Sequence, residues 1–139
     1  MRKPRALGYT ACMPRPSPVT DAVRRVVGGD KRHLWSLDDL HARVRERVPT
    51  ANFSTIVRAV TTLEQSGVLD RIDLGDGKAR YESHQDHHEH VQCSLCGRIA
   101  EVPGCVVEGA AAAVLASTGF HVRGHQLVFS GTCPDCVSA

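Results

Sequence analysis

Between residues 19 and 67 apolar side chains return every three or four positions, the spacing that gathers one face of an α-helix. Ala22, Val23, Val26 and Val27 form the first such stripe, and Gly28 and Gly29 end it. Ser36 then stands as a helix cap with Asp39 as its acidic partner three residues on. The stripe Leu37, Leu40 and Val44 follows, with Pro49 beyond its end. A third helix is predicted over residues 54–66, opened by Ser54 and stopped by Gly67. It turns Ile56, Val60 and Leu63 inward and Thr55, Arg58, Ala59 and Thr62 outward. The period then shortens to two: residues 69–74 and 79–82 alternate and are joined by Gly75-Asp76-Gly77, the mark of a β-hairpin. Three helices followed by a hairpin is the order of a winged helix-turn-helix, and equally of a small three-helix domain with a solvated hairpin.

Beyond residue 83 the pattern changes. Short strands are predicted over residues 89–93, 99–102 and 126–130, with an alanine-rich helix over 106–117 that Gly119 ends. Residues 1–18, with Pro14, Pro16 and Pro18 at alternate positions, read as an irregular basic arm. The expected fold class is α+β. A winged helix-turn-helix domain spans residues 1–83, and a small α/β unit spans residues 84–139.

Charge sharpens that division. Residues 1–83 carry 15 Lys/Arg against 10 Asp/Glu, whereas residues 84–139 carry 2 against 5. A basic front half suits nucleic acid and an acidic rear half suits cations. On the third helix Thr55, Arg58 and Thr62 are short or basic, as entry into a major groove requires. Arg71, Lys78 and Arg80 lie on the hairpin, where a wing meets backbone phosphates. No apolar segment follows the basic residues 1–5 and no run reaches membrane-span length, so the reading is a cytoplasmic protein with no membrane partner.

The cysteines carry the chemistry. Cys93-x-x-Cys96 and Cys133-x-x-Cys136 can supply four thiolates to a closed structural zinc site. A redox role fits less well, since no helix of useful length can follow Cys136. The histidine run His87-His88-Glu89-His90 precedes the first pair. On a strand, His87 and Glu89 face one way and His88 and His90 the other, so one tetrapeptide can feed two metal sites. Glu101, Glu108 and His125 are candidates to complete either. Cys12 and Cys105 have no partner at metal-ligand spacing and read as spare thiols.

Four segments, SLDDLHARV, STIVRAVTTLEQSGVLDRI, HHEHVQCSLCGRIAEV and GFHVRGHQLVFSGTCPDC, are similar to those of the ferric uptake regulator family of bacterial metal-responsive repressors. The resemblance runs from about residue 17 to the end of the chain. It implies a homodimer with winged-helix DNA-binding domains and α/β dimerisation domains. Cys93, Cys96, Cys133 and Cys136 match the family's structural zinc ligands, and His88 and His90 match two ligands of a regulatory site at the hinge. In iron-type members a carboxylate matching Glu82 and a histidine near His33 complete that site, sometimes with one matching Glu101. In actinobacterial zinc-type members the partners match Asp70 and His84, the latter replacing a cysteine. His87, Glu89, Glu108 and His125 match a third, dimerisation-domain site.

Two departures stand out. Val57 replaces the tyrosine of the family's recognition helix, and Thr20 occupies the place of an N-terminal arginine. His33 also sits one residue further from Ser36 than the iron-type pattern has it. The function expected is metal-dependent repression of metal-homeostasis genes through an operator in double-stranded DNA, with no enzymatic activity. Zinc is the favoured corepressor because Asp70 and His84 are both present, and iron(II) is next. Peroxide-, manganese- or nickel-sensing are the alternatives within the family. A zinc-dependent hydrolase or a metal buffer is the alternative outside it, although no HExxH signature appears.

Overall fold

The computed structural model describes residues 17–29, 34–84 and 87–139. The proposed arm up to residue 16 and His33 lie outside them. The chain begins with three helices, α1 (Pro18–Gly29), α2 (Leu37–Arg45) and α3 (Phe53–Gln65). Two antiparallel strands follow, β1 (Leu69–Asp73) and β2 (Ala79–Ser83), paired from Leu69↔Ser83 to Asp73↔Ala79. A bridge between Trp35 and Tyr81, with both backbone bonds at 2.9 Å, ties the α1–α2 connection to this hairpin. This is a winged helix-turn-helix.

Local chemistry sets the helix ends. Pro18 opens α1, where its missing N–H costs nothing, and the Ser17 hydroxyl accepts from the Thr20 N–H at 3.1 Å. Pro18 therefore belongs to the helix and not to the arm. Ser36 and Asp39 form a reciprocal capping box on α2. Helix α3 starts one residue earlier than predicted because Asn52, not Ser54, is its cap: the Asn52 side-chain oxygen accepts the Thr55 N–H at 2.9 Å and the Ser54 hydroxyl at 2.8 Å.

The inward stripes meet in one dry core in which Val23, Leu40, Val44 and Ile56 are fully buried. Ala59 joins them, contrary to its outward assignment; a side chain that small fits where α1 and α3 pack closely. At the wing tip Gly75 and Gly77 both have positive φ, which L side chains rarely adopt, and the Asp73 and Asp76 carboxylates accept from the turn's N–H groups.

The second sheet is built from β3 (His88–Cys93), β4 (Ile99–Pro103) and β5 (Val128–Gly131) in the order β4-β3-β5. Strand β3 is central, antiparallel to β4 and parallel to β5. Helix α4 (Ala110–Thr118) lies between β4 and β5 in sequence, and a final turn, α5 (Pro134–Val137), carries the last cysteine. Helix α4 starts four residues later than predicted because Gly109, at φ 86°, leaves residues 106–109 as a turn. No residue from 94 to 139 is buried, and Leu115, Phe120 and Phe129 stand exposed. The wing touches this sheet: Ile99 and Val128 pack on Leu34, Ile72 and Leu74, and the Gln126 amide donates to the Arg71 carbonyl at 3.2 Å.

Among the described residues no helix is long and apolar enough to cross a membrane. Stability should follow the core. Ile56→Ala or Leu40→Ala is expected to cost about 2–5 kcal/mol and Ser36→Ala about 1 kcal/mol. Thr61→Ala, on the exposed face of α3, is expected to stay within about 0.5 kcal/mol. Urea unfolding followed by circular dichroism measures all four.

Candidate metal centres and nucleic-acid face

Three groups of ligand atoms converge among the described residues, and β3 contributes to all of them. The first is formed where β3 ends. The parallel register Cys93↔Gly131 brings the β5–α5 corner beside Cys93, so Cys93, Cys96, Cys133 and Cys136 all place their sulfurs within 4.8 Å of one another. Cys96 Sγ and Cys133 Sγ are 3.6 Å apart, far beyond a disulfide bond and close to the ~3.8 Å edge of a tetrahedron with ~2.3 Å zinc–sulfur bonds.

Backbone N–H groups of Cys96 and Cys133 aim at the Cys93 sulfur, the latter at 3.3 Å, and hold its pKa down to about 6. Cys133 is also lowered, first by the backbone N–H of Cys136. Cys136 is pushed up to about 12, because it shares its proton with Cys133 and Cys96. Four soft donors at tetrahedral spacing, one already ionised near neutral pH, fit a zinc ion.

The second group joins the wing to the second sheet. Glu82 stands near the end of β2, and His88 and His90 project from one face of β3. Both Nε2 atoms point at the same Glu82 oxygen, at 3.2 and 3.3 Å. Glu82 is only 5% exposed. Burial pushes its carboxyl up, but the close approach and charge of His90, with the charge and hydrogen bond of His88, more than offset this and leave it below its ordinary value. His90 is also buried, and its Nε2 makes no well-formed hydrogen bond. A buried ring nitrogen aimed at a carboxylate without bonding it fits a metal ligand.

The other residues expected near this group sit around it. Glu101 reaches His88 Nε2 at 4.0 Å. Asp70 and His84 satisfy each other instead, with His84 Nδ1 2.8 Å from the Asp70 carboxylate, and both are exposed at the rim. All but Glu101 line one cleft of about 450 Å³.

The third group lies on the opposite face of β3. Glu89 Oε1 is 2.8 Å from His87 Nε2 and 2.6 Å from His125 Nε2, and those two nitrogens are 3.0 Å apart. Burial pushes the Glu89 carboxyl up, and bonds from His125 and His87 bring it below its ordinary value. The fourth member is Cys105, whose sulfur lies 3.8 Å from His125 Nε2. Glu108 is not in this group; it sits exposed in the turn before α4. Cys105, read above as a spare thiol, occupies the place expected for Glu108. Only the β3–β4 register, which sets Pro103 opposite His88, brings it there, and no sequence spacing encodes that register.

On α3 Arg58 and Thr62 are exposed, the Thr62 hydroxyl donating to the Arg58 carbonyl at 2.9 Å. The Thr55 hydroxyl donates to Asn52 at 2.7 Å, and Val57 is half-buried. Arg71 and Lys78 are exposed on the wing. Arg80 is held by Asp76 through two bonds at 2.7 and 3.0 Å, which commits its guanidinium within the wing.

Residues 21–130 match the model of the ferric uptake regulator family. A ferric uptake regulation protein of Bordetella parapertussis is 33% identical over 131 residues, 94% of this chain and 91% of that protein. The fold is shared with the ferric uptake regulator of Francisella tularensis solved with iron (TM-score 0.76, 20% identity, 97% of this chain and 99% of that one). It is shared too with that of Helicobacter pylori, a protein with three functional metal-binding sites (TM-score 0.77, 21% identity, 90% and 83%).

The cysteine pKa values give a proton count. With Cys93 ionised above about 6, zinc loading near neutral pH should release fewer than four protons, measurable with a pH indicator in weak buffer. Release of all four protons near neutral pH would contradict an ionised Cys93.

Proposed function

Because the chain belongs to the ferric uptake regulator family, we propose that it is a metal-dependent, DNA-binding repressor of metal-homeostasis genes. The observation that carries this reading is the mixed origin of the second ligand group. Glu82 comes from the wing, and His88 and His90 come from the second sheet. A divalent ion there supplies a positive charge that donors from both sheets share. Glu82, His88 and His90 bring their atoms together only while wing and sheet stay docked. Binding therefore favours that arrangement over any in which the wing swings away.

The donor set is two imidazoles and a carboxylate, with Glu101 at its edge and no thiolate. Iron(II), manganese and zinc all accept such donors. Asp70 and His84, whose presence favoured zinc in the sequence, bond to each other; Glu82, the iron-type partner, lies against both histidines. That moves the preferred ion to iron(II), with zinc second. The Cys93, Cys96, Cys133 and Cys136 cluster is assigned a structural zinc. The third group, around Glu89, is assigned a further divalent ion.

The active form is a homodimer joined through the second sheet and α4. A stretch of 46 residues, 94–139, with nothing buried and with Leu115, Phe120 and Phe129 exposed has too little core of its own. A second copy burying that surface supplies the missing core and presents two α3 helices to a near-palindromic operator. Arg58, Thr62, Arg71 and Lys78 are the contacts assigned to DNA, with Thr55 and Arg80 engaged within the protein.

Two measurements test the reading. In fluorescence anisotropy on a duplex from the gene's own upstream region, at fixed salt, iron(II) should tighten binding at least about tenfold. His90→Ala should lose that response yet keep its zinc and its dimer, and an unchanged response would remove Glu82, His88 and His90 from the switch. In sedimentation velocity, Leu115→Asp should shift the protein to monomer; a dimer that persists would place the interface elsewhere.

A further inference from the structure

We propose that the site around Glu89 is a mixed nitrogen, oxygen and sulfur centre in which the Cys105 thiolate is the fourth donor. It would take a thiophilic divalent ion, of which zinc is the type. This rests on the reading of that group as a metal site, and not on the DNA-binding function.

Strand registers explain why these four residues meet. The parallel pairing of β3 with β5 sets His90 opposite Val128, and the segments leading into the two strands keep that offset, so His87 lies beside His125. Their Nε2 atoms are 3.0 Å apart, and each is within 2.8 Å of the one buried Glu89 oxygen. Three donor atoms thus crowd a single point.

On the other side β4 runs antiparallel and ends with Pro103 opposite His88. Its continuation passes His87, and Gly104, at φ 75°, turns the chain there so that Cys105 comes next. The Cys105 sulfur reaches 3.8 Å from His125 Nε2, and all four ligand atoms lie within 4.8 Å of one another. Glu108 remains exposed one turn further on.

Replacing a carboxylate by a thiolate changes selectivity. Sulfur donors favour zinc and cobalt(II) over manganese and magnesium, which prefer all-oxygen or nitrogen and oxygen shells. The second ligand group, on the other face of β3, has no sulfur. One strand therefore presents a softer site on one face and a harder one on the other.

Cobalt(II) titration of the full-length protein tests this, with the zinc of the four-cysteine cluster retained and His88→Ala used to silence the hinge group. Thiolate-bound cobalt absorbs in the near ultraviolet by sulfur-to-metal charge transfer, and cobalt held by imidazole and carboxylate alone does not. The band should appear with one equivalent of cobalt, vanish in Cys105→Ser and persist in Glu108→Gln. Zinc affinity at the site should fall more than about tenfold in Cys105→Ser. Cobalt bound without the band, or a band that survives Cys105→Ser, would overturn the assignment of Cys105 while leaving a metal site. No cobalt bound to the His88→Ala protein would overturn both.

Discussion

Alternation along β3 is the constraint on which all three ligand groups depend. Successive side chains of a strand point to opposite faces, so His87 and Glu89 are committed to one side and His88 and His90 to the other. The alternation alone would fix only directions. Position comes from the two neighbours of β3: β5, locked where Cys93 meets the corner that carries Cys133, and β4, which ends opposite His88. A slip of one residue in either register would exchange the faces and scatter the ligands. Clamping the cysteine corner therefore does more than hold the last residues; it sets His87 level with His125.

Burial of the two central carboxylates shows how the groups are held ready. Glu82 and Glu89 are 5% and 2% exposed, an environment that on its own would favour their neutral forms. Each is kept below its ordinary pKa by a pair of imidazoles. The converse is that each histidine pair is oriented by a carboxylate it can hardly escape. Such groups lose little freedom when they bind an ion, since folding has already ordered them. The winged-helix half has a dry apolar core to support this order. The second half has none from residue 94 onward, and on the proposed assignments ligand bonds and a partner surface supply its order.

The sequence was most legible where the physics is local. Helical stripes, the Ser36–Asp39 capping box, the glycine turn of the wing and the paired cysteines each depend on neighbours within a few residues, and each is where its pattern put it. The even and odd split of the histidine run belongs to the same class. Choices between adjacent equivalents were not legible: Asn52 and Ser54 are both good caps, and only backbone direction decides between them. Ala59 is silent because its side chain suits either face of α3. Ligand partners from other strands were the least legible. Asp70 and Glu82 are cross-strand neighbours, and sequence spacing does not say which of them meets the histidines. Cys105 and Glu108 are three residues apart, and only the end of β4 separates their fates.

Donor chemistry then orders the three groups. Four sulfurs make the softest and most closed set, the Glu89 group with Cys105 is intermediate, and Glu82 with His88 and His90 is the hardest. On the proposed assignments zinc satisfies the first two before it competes strongly for the third. The hinge is then left to respond to an ion that the other groups hold less well. A single-stranded ribbon could not make this separation, because it has no inside. A central strand with distinct neighbours on each edge can, since its two faces see different partners while sharing one backbone. In this chain the wing carboxylate Glu82 meets the histidines of one face of β3, while His125 and Cys105, from the segments beyond β5 and β4, meet Glu89 on the other, so one strand presents two different donor sets.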